Sequence, residues 1–219
     1  VKAPEAACEK GHIRRVLAGW LKAEGRSREA LDALEWLTLE LYRWNRVFNL
    51  VGAGDRERIL ALHVLDSLSV AACLKGFRVI DVGTGAGFPG LPLAILEPGR
   101  SYLLLDSSER RLRFARHVVV ALRLRHVEIH KCRVAEFRAT GFDVAVARAY
   151  APPRRALADM LPLVAAGGRV ILMQAKHAAV AVEDIRVCAS RVHVPGVEAP
   201  RWLWIYEKPG SGNGRRCAS

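Results

Sequence analysis

Apolar positions along the first third of the chain repeat every three or four residues. Ile13, Val16, Leu17, Trp20 and Leu21 form one helical stripe, which Gly25 stops. Leu31, Leu34, Leu37, Leu41, Trp44 and Phe48 mark one face of a longer helix, with Ser27 placed to cap it and its end near Gly52. A third helical stretch runs from about Arg56 to Leu74. Such stripes need a partner surface, so residues 1–75 are expected to be a helical extension packed on the remainder of the chain.

From Phe77 the period changes. Short apolar runs, Arg78 to Val82, Tyr102 to Leu105, Val127 to Ile129, Val144 to Ala147 and Val170 to Met173, read as strands. Helical patterns around Leu91 to Leu96, Arg110 to Leu124 and Ala156 to Leu163 lie between them. This alternation predicts an α/β fold with a mostly parallel, doubly wound sheet and helices on both faces. A further helix is predicted from Ala178 to Cys188, then an antiparallel edge hairpin of Arg191 to Val194 and Arg201 to Tyr206. The core is thus expected over residues 76–208, with a disordered Gly-, Ser- and Arg-rich tail over 209–219.

Composition narrows the class. With 219 residues, 51% of them hydrophobic, the chain fits a globular domain with an appendage. No run approaches the roughly 18 apolar residues of a membrane span, and the start lacks a signal-peptide core, so a soluble cytoplasmic protein is expected. The five cysteines are scattered, with no CxxC pair or metal-ligand spacing, and read as reduced thiols; no metal is expected. Net charge is +12. Between Arg100 and Arg155 there are 13 basic residues against five acidic ones, so most of the excess sits in about a quarter of the chain. That concentration points to an anionic partner, beside the plainer reading of a solvated face.

The first strand runs directly into Asp81-Val82-Gly83-Thr84-Gly85-Ala86-Gly87-Phe88-Pro89-Gly90. Alternate glycines allow a tight turn and let a ligand lie against bare backbone, with the next helix presenting N–H groups. Gly85 to Gly90 also matches GxGxxG, the dinucleotide pattern. However, the glycine that closes the strand is Gly83, and its sixth position is Phe88. Asp81 would sit badly beside a pyrophosphate; it suits a ligand with a cationic end, such as the amino group and sulfonium of S-adenosylmethionine. Asp106, ending the second strand, is placed to accept from ribose hydroxyls.

Asp81 to Gly87 resembles the cofactor motif of class I methyltransferases, and the antiparallel C-terminal edge is similar to theirs. Three ordered blocks, Leu41 to Leu50, His63 to Leu68 and Asp81 to Gly90, look like one family within that class. Leu105-Asp106-Ser107 with a basic helix behind it, Arg133 to Phe137, and Phe142-Asp143 to Arg148-Ala149 extend the likeness over roughly Leu31 to Lys176. The chain thereby resembles the ribosomal RNA small-subunit methyltransferase G family, which methylates guanine N7 in 16S rRNA. The resemblance implies S-adenosyl-L-methionine as cofactor and 16S rRNA or the small ribosomal subunit as partner; the protein is expected to be a monomer. One departure is Gln174-Ala175-Lys176-His177, where the family tends to have a lysine followed by glycine. Rival readings are methyl transfer to another RNA or a ribosomal protein, and a non-catalytic RNA-binding assembly factor.

Guanine N7 carries a lone pair and no proton, so its methylation needs alignment rather than a general base or covalent nucleophile. The sequence fits: the fourth strand runs into Arg148-Ala149-Tyr150-Ala151-Pro152-Pro153, not the Asn/Asp-Pro-Pro-aromatic tetrad that grips exocyclic amines. The expected cofactor-binding set is Asp81, Gly83, Gly85, Gly87, Phe88, Asp106, Val134, Ala135 and Arg148. Val134 and Ala135 are assigned backbone contacts to adenine by position and by the resemblance. Phe88 either packs on the methionine part or caps the helix. Arg148, Asn49 and His63 are the catalytic candidates. Arg148 is placed to hold guanine O6, or else to pair with Asp106 or a loop carboxylate. His63 is a base or rRNA contact, or a hydrogen-bonded core residue; Asp66 and Ser67 read as a cap or local pair. Arg110, Arg111, Arg113, Arg116 and Lys176 are the RNA-binding candidates.

Overall fold

The computed structural model describes residues 3–52, 54–175 and 180–210, with side chains from residue 11 onward. Two long helices open the fold, α1 (Ala3–Ala23) and α2 (Leu31–Phe48), and Gly25 ends the first in the left-handed region at φ 62°. The third helical stretch is one run of changing pitch. It comprises α3 (Arg56–Ile59), a π-helical segment (Leu60–Leu65), α4 (Asp66–Leu68) and a 3-10 turn (Ala71–Cys73).

The strands are β1 (Arg78–Val82), β2 (Ser101–Asp106), β3 (Val127–Lys131), β4 (Phe142–Arg148), β5 (Val164–Gln174), β6 (Arg186–Val192) and β7 (Arg201–Glu207). They form one sheet in the order β3-β2-β1-β4-β5-β7-β6. Pairings are parallel from β3 to β5, and β7 runs antiparallel to both β5 and β6. The crossover helices are α5 (Gly90–Leu96), α6 (Glu109–Ala121) and α7 (Pro153–Met160).

Side chains alternate along each strand, so the sheet feeds two apolar layers. Val79, Leu104, Val146, Ile171 and Leu203 join the layer that includes the N-terminal helices, α5 and α6. Ile80, Leu105, Ala145, Leu172 and Tyr206 join the other, under α7. Asp143 fixes where β1 starts: its Oδ2 accepts from the N–H groups of Phe77 at 2.7 Å and Arg78 at 2.8 Å.

The helix expected from Ala178 to Cys188 is not formed. Residues 176–179, including Lys176, lie outside the described residues; 180–185 are irregular, and Cys188 lies within β6. The apolar spacing there, Val180, Val182, Ile185 and Val187, serves the sheet layer rather than a helix face, and β6 pairs with β7 from Arg186 to Val192. The hairpin therefore starts earlier than Arg191. The tail is also tied down at its root: the Pro209 carbonyl accepts from Gly167 N–H at 3.0 Å, whereas residues 211–219 lie outside the described residues.

Two joints bring the N-terminal helices to the sheet's functional edge. On α2, Trp44 packs its ring 5.5 Å from Phe114 and 5.0 Å from His117 of α6. Beside them Glu40 accepts from Trp44 Nε1 at 3.1 Å and lies 3.0 Å from His117 Nε2. The pairings Glu40 with His117 and Trp44 with Phe114 run the two helices antiparallel, which carries the end of α2 to the start of α6. From the other side the 193–200 loop sends Val194 and Val197 into the same apolar layer. Among the described residues no helix is long and apolar enough to cross a membrane.

Phe114 is fully buried at the first joint. Phe114→Ala is expected to destabilise the fold by about 3–5 kcal/mol through lost burial and the cavity left behind. A urea unfolding midpoint equal to the parent's would show that this joint carries little.

Candidate active site

The glycine loop is tied down from both ends. Gly83 and Thr84 donate to the Leu105 carbonyl of β2 at 2.8 and 3.1 Å, and Gly87 and Phe88 donate to Thr84 O, each at 2.9 Å. Under the loop the buried Asp81 Oδ2 accepts from Thr84 Oγ1 at 2.6 Å and from Gly90 N–H at 2.7 Å. Burial pushes this carboxyl up to about 6, although both hydrogen bonds pull the other way. The helix after the loop was expected to offer N–H groups to a ligand; instead Gly90 N–H is taken by Asp81, and Leu91 N–H by Gly87 O. Asp81 acts from beneath, shaping the loop, and its Oδ1 is buried without a hydrogen-bond partner among the described residues.

Gly83 and Gly85 show why the loop needs glycine. At Gly83, φ is +70° and a Cβ would come within 2.4 Å of the Tyr150 ring. At Gly85, φ is +60° and a Cβ would meet only Arg111, at 3.8 Å, so this backbone faces open space. Gly85 N–H donates to Asp106 Oδ2 at 2.9 Å, and Asp106 Oδ1 accepts from Ser108 N–H at 2.7 Å. The second strand's terminal carboxylate is thus fixed against the loop, with Arg111 Nη2 3.6 Å away.

Two cavities open at the carboxyl ends of β1, β2 and β4, where an open α/β sheet binds ligands. The first, about 480 Å³, is lined by Gly83, Asp106, Val134, Ala135, Tyr150 and Arg155 among others. The second, about 450 Å³, is lined by His63, Asp66, Gly85, Phe88, Arg148 and Arg201 among others. Gly83, Arg111 and Ala149 border both, so the two spaces share a wall. Tyr150, over Gly83, donates to Asp159 at 2.9 Å; burial and that carboxylate push its phenol up to about 12. Cys132 lines the first cavity, and burial, followed by the Glu136 charge, raises its thiol.

The second cavity is built around Arg148. Its Nη1 donates to the Leu62 carbonyl at 2.6 Å and to Asp66 Oδ2 at 3.2 Å, and its Nη2 donates to His63 Nδ1 at 3.1 Å. The π-helical segment makes this possible. In an α-helix Asp66 N–H would bond Leu62 O, but here it bonds Ala61 O, and Arg148 takes Leu62 O instead. Arg148 therefore pairs with Asp66, not with Asp106. Asp66 is buried between two guanidinium groups, since Arg201 Nε of β7 lies 3.4 Å from its Oδ1. Phe88 is buried rather than merely capping: its ring lies edge-on to His63 at 5.9 Å and under the Arg148 guanidinium at 5.8 Å.

The remaining sequence candidates separate. Asn49 lies outside both cavities; it is exposed and ends α2 in the left-handed conformation at φ 45°, while its neighbours Leu50 and Val51 line the second cavity. Asn45, overlooked in the sequence, shapes that wall by accepting from Val51 N–H at 2.9 Å. Arg111 sits at the shared wall instead of on an outer face. Arg110 and Arg113 are exposed and form no ion pair with a described residue, whereas Arg116 is held by Glu109 at 3.5 Å. Arg201 and Tyr150 were also overlooked. The first had a usable signal, because the start of an antiparallel edge strand returns to the carboxyl edge of its parallel neighbour.

His63 is pushed down to about 3, first by burial and then by the Arg148 charge, from an ordinary value of 6.5. The folded state therefore keeps a neutral imidazole where the unfolded chain takes up a proton. The stability this contributes is complete above pH 6.5 and is lost as pH falls toward 3. Between pH 7.5 and 5, the parent should lose about 1–2 kcal/mol of unfolding free energy relative to His63→Gln. Denaturant titrations of both proteins at the two pH values check this; a constant gap would contradict it.

Comparison with known proteins places the chain in a family. A family model described as rRNA small subunit methyltransferase G matches residues 30–198. A relative from Methylococcus capsulatus named Ribosomal RNA small subunit methyltransferase G is 42% identical over 186 residues, covering 83% of this chain and 89% of the relative. One of the same name from Chromohalobacter salexigens is 38% identical over 188 residues, covering 84% and 89%. Among solved structures, a SAM dependent methyltransferase from Aquifex aeolicus superposes with a TM-score of 0.52 at 20% identity, covering 69% of this chain and 93% of the other; this likeness speaks for the fold alone. The chain belongs to the rRNA small subunit methyltransferase G family.

Proposed function

We propose that this protein is a cytoplasmic enzyme that transfers a methyl group from S-adenosylmethionine to N7 of a guanine in 16S rRNA, in the free RNA or the small subunit. The observation that carries the reading is the shared wall: a cofactor-sized cavity beside Asp106 opens against a second cavity through Gly83, Arg111 and Ala149. Donor and acceptor thus have adjoining seats.

The residues present fit the cofactor. Gly85 offers bare backbone to open space, and the Asp106 carboxylate keeps lone pairs for ribose hydroxyls after accepting two backbone N–H groups. Val134 and Ala135 line the same cavity and would flank the adenine; Phe88 would bound the methionine end. The buried Asp81 Oδ1, without a hydrogen-bond partner among the described residues, is a negative atom under the loop and suits a cationic group above it. S-adenosylmethionine, when bound, supplies a methyl group activated on a sulfonium.

The chain's own contribution is position. The attacking N7 lone pair needs no base, and in the second cavity His63 has its Nδ1 engaged while Arg148 and Asp66 are paired. Walls of Phe88, Leu50, Leu62 and Met173 restrict water around the acceptor. Rate enhancement here comes from holding two reactants in line.

For RNA, the antiparallel α2–α6 joint carries Val47 and Phe48, 74% and 46% exposed, toward the α6 end that bears Arg110 and Arg113. Exposed aromatic and apolar side chains beside guanidinium groups suit an unpaired RNA segment, through stacking and phosphate contact. Lys176 follows β5 in sequence, outside the described residues, and remains part of the proposal through its family position alone.

Labelled S-adenosylmethionine with 16S rRNA, or small subunits from a strain lacking the activity, should yield N7-methylguanosine on nuclease digestion and mass analysis. Gly85→Val, strained at its positive φ and filling open backbone space, should weaken cofactor binding by about tenfold or more. Label in a ribosomal protein or another RNA would favour the rival acceptors. RNA binding without any transfer would favour an assembly factor.

A further inference from the structure

The polar groups around the second cavity are not equally free to read a base. Thr84 Oγ1 is taken by Asp81. Arg148 is divided among Leu62 O, Asp66 and His63, Arg201 faces Asp66, and Arg111 at the shared wall faces Asp106 at 3.6 Å. Gln174 presents an amide that rotates to donate or accept, so it does not discriminate between the two. His63 differs because its partner dictates its tautomer. A guanidinium only donates, so His63 Nδ1 must accept, and the single proton of a neutral imidazole then sits on Nε2. Among the described residues that Nε2–H meets no hydrogen-bond acceptor, and His63 borders both this cavity and a smaller one beside Gly54 and Arg58.

We infer that His63 selects guanine, by donating from Nε2–H to O6 of the base, and that Arg148 is the positioning residue that holds His63 as that donor. The inference rests on the guanine-N7 reading. The exposed edge of guanine carries two acceptors, N7 and O6, whereas adenine carries the acceptor N7 beside the N6 amino donor. A fixed donor next to the transfer path pairs with O6 and leaves the N7 lone pair free, but faces adenine's amino group donor to donor. A neutral donor also suits the step. As the N7–carbon bond forms and the carbon–sulfur bond breaks, the electron pair leaves with sulfur and the base becomes cationic. An imidazolium beside it would oppose that charge; a neutral imidazole does not. The Arg148 charge faces Asp66, a carboxylate it shares with Arg201.

The test uses full-length 16S rRNA, assembled into small subunits, in which splint ligation places guanosine, inosine, 2-aminopurine riboside or adenosine at the mapped acceptor. Inosine keeps O6; 2-aminopurine loses it while keeping N7. The parent enzyme should methylate inosine within a few-fold of guanosine and 2-aminopurine about 10- to 100-fold more slowly in kcat/KM, the cost of a donor left unpaired. His63→Ala should bring guanosine down to the 2-aminopurine rate, with cofactor affinity measured by calorimetry unchanged. His63→Gln, whose amide Nε2 donates, should restore part of the preference, and its unfolding midpoint shows that the fold persists. A His63→Ala enzyme that keeps the parent's ratio of guanosine to 2-aminopurine overturns the proposal, as does a loss that merely tracks cofactor affinity. If the parent makes no N7-methylguanosine even on guanosine, the underlying reading fails, and the proposal with it.

Discussion

The arrangement depends on the Arg148 guanidinium at the end of β4. It connects a sheet strand to the helical run of residues 56–73 through a backbone carbonyl, a carboxylate and an imidazole. Through it the N-terminal helical run contributes a carbonyl, an imidazole and a carboxylate to the sheet edge. Burial explains why the link is specific. Asp66 is enclosed and needs its cations, and Leu62 O is available only because the helix is wound one residue wider at that point. Removing Arg148 would leave Leu62 O and His63 Nδ1 without their donor and Asp66 with Arg201 alone, and an unsatisfied buried group costs more than the bond it lost contributed.

The glycine loop shows the same division between shape and contact. Asp81, placed by its sequence at the centre of the cofactor motif, spends one oxygen on the loop's internal hydrogen bonds, whereas Asp106 reaches the cavity. Tyr150 closes over Gly83, and Phe88 turns away from the loop toward His63 and Arg148. The motif therefore serves both cavities: its front lines the first, and its far end lines the second.

Much of this was legible in the sequence where a period or a glycine carried the signal. The two N-terminal helices, five parallel strands and the edge hairpin followed from spacing, and Asp106 from its place at a strand end. The segment before β6 misled because Val180, Val182, Ile185 and Val187 fit a helical stripe about as well as an edge-strand approach; pairing with β7 decided the outcome. The partners of Arg148 carried no local signal, since Leu62, His63 and Asp66 stand more than 80 residues away and one of them acts through its backbone. Arg111 looked like one member of a basic run, but helical geometry turned it to the shared wall while Arg110 and Arg113 stayed outside. The concentrated positive charge thus divides into arginines that line the cavities and arginines exposed on the outer face of α6.

Arg148→Lys separates the geometry of this side chain from its charge. Lysine keeps the positive charge, yet its single ammonium cannot span Leu62 O, Asp66 and His63 as the planar fork does. Single-turnover methyl transfer to small subunits should fall by about 100-fold while cofactor affinity stays within a few-fold of the parent. A lysine enzyme that turns over at the parent rate would contradict the account.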